Sequence, residues 1–200
     1  MNYNELFQIV EKRFSQTEKA KNRFAHSVRV VDKAIQLNKE LQLGLDEEKV
    51  KVAAILHDYA KVLKEEEQLL LLSKYVDKDQ LEYYKMYLPV IHSVLGRYLV
   101  QEDLAINDSE MLDAITYHTT GCVGMSQLTK LIFVSDAIED GRNYPFVEAY
   151  RIAAMLDLDY AAYIITAMTI KYLKNNKMNI EKNTLDLYNY YEEYYDKISK

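Results

Sequence analysis

Apolar residues recur every three or four positions along nearly the whole of this chain, and that period constrains its fold more than any other feature. Leu6, Val10 and Phe14 mark a short amphipathic helix. Phe24, Val28, Val31, Ile35 and Leu41 line one face of a longer helix from about Glu18 to Leu43, with Gly44 as its stop. Asp46 is placed to cap a third, with Val50, Ala53 or Ala54, His57, Ala60 and Lys61 along one side. Pro89 opens a helix through His92, Leu95 and Leu99. Asp108 can cap Met111 to His118, and Ser126 can cap the run through Leu131, Val134 and Ile138, stopped near Gly141. Helical spacing returns around Phe146–Leu156 and Asp159–Leu173, and from Thr184 to about Ile198.

Alternation with a period of two is scarce, and glycine and proline together supply only 5 + 2 = 7 of 200 residues. That composition argues against a turn-rich β-sandwich and against a disordered linker. We expect an all-α chain, a single domain over residues 1–200 built as a helical bundle of about nine to ten helices.

Charge narrows the partners. Twenty-five basic against thirty-one acidic residues leave −6, which argues against binding duplex nucleic acid through overall charge. One cysteine excludes an internal disulfide and a cysteine-based zinc finger. The first fifteen residues carry Glu5, Glu11, Lys12 and Arg13, so no apolar signal core fits there, and runs such as Leu69–Leu72 are too short to span a bilayer. No membrane partner is expected, and a reduced, cytoplasmic setting follows most simply.

The four histidines are His26, His57, His92 and His118, each on or at the end of a different expected helix. Asp58 follows His57 directly, and Asp136 sits in the apolar run 131–138, where an unpaired carboxylate is costly unless it is exposed or bound to a cation. Imidazole nitrogen and carboxylate oxygen suit iron, manganese, cobalt or zinc, and converging helices are a common way to build such a site. Taken singly, each histidine is more often an ordinary core or surface residue. The order, the spacing and the absence of a spare histidine shift the balance.

The ordered set His26, His57-Asp58, His92, His118, Asp136 resembles the HD-domain phosphohydrolase superfamily. The words "HSVRVV" at 26–31, "AAILHDYAK" at 53–61, "YHTTG" at 117–121 and "LIFVSDAIEDGR" at 131–142 are similar to those of the YqeK family, symmetrical bis(5′-nucleosyl)-tetraphosphate hydrolases. The resemblance covers roughly residues 20 to 190. Asp140-Gly141 stands where the family usually has proline after the Ile-Glu pair, and Ala-Ile at 54–55 where it more often has Gly-Leu.

What the resemblance implies is a metal-binding core over about 20–142 with C-terminal helices, about 146–198, packed on it. Its metal ligands would be His26, His57, Asp58 and Asp136, with His92 and His118 binding a second ion or a phosphate oxygen. It implies iron, as one or two ions, with Asp58 able to bridge. Lys61 and Arg142 belong to the family words, so Lys61 would act beside Asp58 in catalysis and Arg142 would reach substrate from a loop. Thr119 would contact phosphate, and Thr184, in a word similar to the family's C-terminal "T…YN", would lie near the nucleotide. Arg23, one turn before His26, is balanced between function and a solvated charge.

The expected reaction is hydrolysis of diadenosine tetraphosphate to two ADP. Four neutral imidazoles and two carboxylates contribute −2, and two divalent ions +4, so a filled site is about +2 inside an acidic protein. Coordination lowers the pKa of bound water to about 7 in favourable cases, giving hydroxide for in-line attack. The alternatives are another HD-type hydrolase of a nucleoside triphosphate, guanosine alarmone or cyclic nucleotide, a non-catalytic nucleotide-sensing HD domain, and a helical adaptor without metal. Cys122 reads as an ordinary thiol. The tyrosines of the last helix read first as docking residues, with a base-stacking wall or a homodimer face as the alternatives.

Overall fold

Most helices begin where a short polar side chain takes up the free amides of the first turn. Asp46 accepts from the Lys49 amide at 2.8 Å, Asp108 from Met111 at 3.0 Å and Ser126 from Thr129 at 3.1 Å, as the sequence predicts. The computed structural model describes residues 2–198; Met1, Ser199, Lys200 and the side chain of Ile198, which the expected domain and last helix include, lie outside the described residues. Among the described residues there is no strand. The helices are α1 (Tyr3–Arg13), α2 (Glu18–Glu40), α3 (Glu47–Leu56), α4 (Glu65–Leu72), α5 (Lys78–Lys85), α6 (Ile91–Leu104), α7 (Ser109–Tyr117), α8 (Gln127–Ile138), α9 (Val147–Leu156), α10 (Leu158–Asn175) and α11 (Lys182–Ile198). Short 3-10 turns lie at Tyr59–Val62 and Leu88–Val90.

Three expectations are corrected. Eleven α-helices form among the described residues rather than nine to ten, and the helices that the sequence places at Glu65–Tyr75 and Gln80–Tyr87 form as the shorter α4 and α5. The second helix ends at Glu40, before Gly44, because Gln42 already takes a left-handed conformation with φ 51°. The third does not run through Lys61. It ends at Leu56, and the chain tightens into the 3-10 turn Tyr59–Val62, so Lys61 reaches its neighbours from a different helical register than His57.

Helix α8 is apolar nearly all round: Leu128, Leu131, Ile132, Phe133, Val134 and Ile138 are all buried. Such a helix belongs at the centre, and it packs against α2, α7 and α10. Helix α2 lies across both α3 and α8, and α7 across both α6 and α8. His26, His57, His92, His118 and Asp136 therefore reach one region from five helices.

The C-terminal helix closes over this body. Leu187 and Tyr191 join the main core, and the Tyr191 hydroxyl donates to Asp159 Oδ1 at 2.8 Å. Tyr163 of α10 stacks on Tyr188 and Tyr195, with ring centroids 6.0 and 5.1 Å apart. Tyr188, Tyr191 and Tyr195 thus serve docking, while Tyr190 and Tyr194 stay about half exposed.

Gly121 permits that docking. Its φ is +64°, and a Cβ there would lie 2.3 Å from Leu187 Cδ2. Gly121→Ala combines a left-handed penalty with overpacking, and an expected cost of about 2 kcal/mol or more follows. Thermal denaturation followed by circular dichroism should show Tm lowered by roughly 4–8 °C.

Candidate metal centre

Two of the histidines are aimed by the same local device. A helix end leaves its last carbonyls without amide partners, and an imidazole N–H at the cap can take one of them. His57 closes α3 and its Nδ1–H donates to the Ala54 carbonyl at 2.6 Å. His118 closes α7 and its Nδ1–H donates to the Ile115 carbonyl at 2.8 Å. A carbonyl can only accept, so the proton sits on Nδ1 and Nε2 carries the lone pair. His26 lies within α2 and reaches the same tautomer through a carboxylate, its Nδ1–H donating to Glu139 Oε1 at 3.1 Å.

These lone pairs face the two aspartates. His26 Nε2 lies 3.0 Å from Asp136 Oδ1 and 3.8 Å from Asp58 Oδ2. His57 Nε2 lies 3.4 Å from Asp58 Oδ2 and 4.0 Å from Asp136 Oδ1. Both nitrogens are buried without a hydrogen-bond partner. A buried lone pair facing a carboxylate oxygen is repulsive unless a cation stands between them. Donors about 2.0–2.2 Å from one ion lie roughly 3.0–3.5 Å from each other, which is close to the spacing found. The residues present therefore fit a metal ion.

The other oxygen of Asp58 faces a second set. Asp58 Oδ1 is 3.2 Å from His92 Nε2 and 3.4 Å from His118 Nε2, and the two imidazole nitrogens are 3.1 Å apart. Asp58 thus stands between His26 and His57 on one side and His92 and His118 on the other. The ligand atoms of His26, His57 and Asp136, and likewise those of His57, Asp58 and His118, all lie within 4.8 Å of one another, and the two groups share His57.

His92 differs from the other three. Its Nδ1 lies 2.9 Å from Lys61 Nζ, and an ammonium can only donate. Burial pushes the His92 pKa down to about 4, with the Lys61 charge helping, so this ring is neutral at pH 7. Burial likewise lowers the pKa of Lys61. Thr119 stands beside this set, its hydroxyl 3.1 Å from His118 Nε2 and 3.3 Å from His92 Nε2.

Both aspartates are ionised. Burial opposes the charge on Asp58, yet the His57, His118 and His92 imidazoles hold its pKa well below the usual carboxylate range. Against the same burial, His26, His57 and Arg142 hold Asp136 low. Burial lowers the His57 pKa, but Asp58 and Asp136 outweigh it and raise the ring above its ordinary value. The site attracts positive charge at His57 Nε2.

Arginines complete the shell. Arg23 donates to Asp58 Oδ2 at 2.9 Å, so its guanidinium borders the cluster rather than standing free in solvent. Arg142 donates to Asp136 Oδ1 at 2.5 Å and to the Asp136 carbonyl at 2.9 Å, so its guanidinium is engaged on an aspartate. Thr184 donates to the Thr120 carbonyl at 3.1 Å, which ties α11 to the chain just after His118. Glu139 and Arg29 were not anticipated. Each lies three residues past a site residue, Asp136 and His26, within the words "LIFVSDAIEDGR" and "HSVRVV". The helical i+3 rule that brought in Arg23 also reaches Arg29.

Comparison with known proteins places this arrangement. The HD domain family profile matches residues 23–141. A symmetrical bis(5′-nucleosyl)-tetraphosphatase of Halalkalibacterium halodurans is 35% identical over 94% of this chain and 96% of its own length. Its counterpart in Bacillus subtilis is 34% identical, over 84% of this chain and 89% of its own. The solved structure of a predicted HD superfamily hydrolase involved in NAD metabolism from Clostridium acetobutylicum superposes with a TM-score of 0.82 at 28% identity, covering 95% of this chain and 96% of that one. The chain belongs to the HD-domain family and, within it, to the YqeK-type group of symmetrical bis(5′-nucleosyl)-tetraphosphatases.

Proposed function

We propose that this chain hydrolyses diadenosine tetraphosphate, or a close dinucleoside polyphosphate, symmetrically into two nucleoside diphosphates, and that it needs a metal to do so. The observation that carries the metal requirement is Asp58, whose two oxygens face separate histidine pairs at 3.2 to 3.8 Å. The symmetrical reaction comes from relatives such as the Staphylococcus aureus symmetrical bis(5′-nucleosyl)-tetraphosphatase, 34% identical over 90% of this chain.

His26, His57, Asp58 and Asp136 would hold one ion, and Asp58 with His118 a second, while His92, whose Nδ1 accepts from Lys61, would turn an Nε2–H donor toward a phosphate oxygen. When bound, divalent ions supply Lewis acidity toward phosphoryl oxygens and lower the pKa of water. The donor set holds nitrogen and oxygen with no thiolate, and iron is our assignment; manganese, cobalt and zinc suit the same donors.

The chain's own side chains set the field for an anionic substrate. Asp58 and Asp136 bring −2, while Arg23, Arg142 and Lys61 bring +3. The protein part of the site is thus already positive before any ion binds, within a chain of net charge −6. In symmetrical cleavage, water oxygen bonds to one of the two central phosphorus atoms. The bond from that phosphorus to the central bridging oxygen breaks, and the second nucleoside diphosphate departs with it. Lys61 and Thr119, both beside His92, are donors within reach of the second histidine pair for the charge that grows on a departing oxygen.

We take the chain to work as one domain, because α11 contributes Leu187 and Tyr191 to the core that α1 begins with Leu6 and Val10. Among the described residues no helix is long and apolar enough to cross a membrane. We place the enzyme in the cytoplasm, with its nucleotide substrate.

Chelation followed by dialysis is expected to abolish hydrolysis, and added Fe²⁺, Mn²⁺ or Co²⁺ to restore it. Anion-exchange separation of the products should then show ADP alone. AMP with ATP, or turnover confined to a nucleoside triphosphate, an alarmone or a cyclic nucleotide, would replace this reading. Metal binding without turnover of any of them would make the chain a sensor.

A further inference from the structure

We infer that Glu139 and Arg29 act together as a positioning pair that fixes the tautomer of His26, so that its Nε2 offers a lone pair to the metal rather than a proton. The inference rests on reading the cluster as a metal centre. His57 and His118 each find a free carbonyl three residues back, because each closes a helix. His26 sits in the middle of α2, where carbonyls are already bonded within the helix, so it needs an acceptor from elsewhere in the fold. Glu139, the residue just past α8, supplies it, and is 1% exposed.

A carboxylate can only accept, and this one meets donors on every side. His26 Nδ1 lies 3.1 Å from Oε1, while Arg29 Nε at 2.5 Å and the Gly141 amide at 2.6 Å both donate to Oε2. Arg29 Nη2 adds a longer bond to Oε1 at 3.4 Å. The Glu139 carbonyl in turn accepts from Arg151 at 2.8 Å, which pins the turn. Gly141 makes room for the arginine, since a Cβ there would lie 2.5 Å from Arg29 Nε and 2.7 Å from its Cζ. A carboxylate behind a ligating imidazole fixes the ring and makes its other nitrogen a better donor to metal. Arg29 keeps that carboxylate charged and oriented inside the protein.

Glu139→Gln keeps the shape but cannot satisfy both sides. With the amide oxygen toward His26, its NH₂ meets Arg29 and the Gly141 amide, donor against donor. With the NH₂ toward His26, Nδ1 must become the acceptor and Nε2 takes the proton. Either way the His26 ligand is compromised while the core volume is unchanged.

The test is titration of the chelator-treated full chain with Co²⁺, whose visible absorption reports nitrogen and oxygen ligation. Glu139→Gln is expected to bind roughly 10- to 100-fold more weakly than wild type with an altered spectrum. Arg29→Met, at a side chain that is 39% exposed, should give a smaller loss in the same direction. The double variant should bind no more weakly than Glu139→Gln alone, as for residues acting through one another. The apo proteins should melt within a few degrees of wild type, separating metal affinity from folding. Wild-type affinity and spectrum in Glu139→Gln would overturn the inference while leaving the metal reading intact. Should that variant fail to fold, wild-type binding by Arg29→Met would overturn it equally. Absence of any Co²⁺ spectrum in the wild type would bring down the metal reading and the inference with it.

Discussion

Asp58→Ala is expected to lose bound metal and to lower kcat/KM for the dinucleoside tetraphosphate by on the order of 10³-fold or more. Its Oδ2 lies 3.4 Å from His57 Nε2 and its Oδ1 lies 3.2 Å from His92 Nε2, so one truncation removes an anionic ligand from both histidine pairs. The side chain is also the partner of Arg23, which would be left beside the imidazoles without its counter-charge. Elemental analysis of the purified variant, paired with steady-state kinetics, checks both halves of the expectation. A variant that carries no metal yet turns over near the wild-type rate would end the assignment of Asp58. Circular dichroism separates this loss from unfolding.

The second large effect lies at Lys61. Lys61→Ala is expected to retain metal and to lose roughly 10²- to 10³-fold in kcat, the scale seen when one positioned donor to developing charge is removed. Its ammonium stands 2.9 Å from His92 Nδ1, where it both orients that ring and adds positive charge on the side of Asp58 that faces His92 and His118. Lys61→Arg should recover part of the rate, because the charge returns while the point-like ammonium geometry does not. Unchanged kcat with full metal content would reduce Lys61 to a structural neighbour of His92. The contrast between the two variants is informative, because one is expected to lose the ions and the other to keep them.

Much of this was legible along the chain. The three-and-four spacing of apolar residues and the polar residues Asp46, Asp108 and Ser126 locate helices, because amphipathicity and capping are properties of neighbours in sequence. The same spacing misplaced Lys61, since it assumes an unbroken helix and α3 gives way to a 3-10 turn after Asp58. Arg142, expected in a loop after the helix, lies in the turn after α8 with its guanidinium on the Asp136 side chain and carbonyl.

The residue types that can hold a metal, and the helices that carry them, were determined by sequence alone: four histidines and two aspartates in a recognisable order, set among helical periods. Only the tertiary structure decided which nitrogen of each ring faces inward, that Asp58 divides its oxygens between two histidine pairs, and that Glu139, 113 residues away, holds His26. Tautomers and ligand angles depend on acceptors brought from other helices, and those contacts come into being only when α2, α3, α6, α7 and α8 pack around a common core.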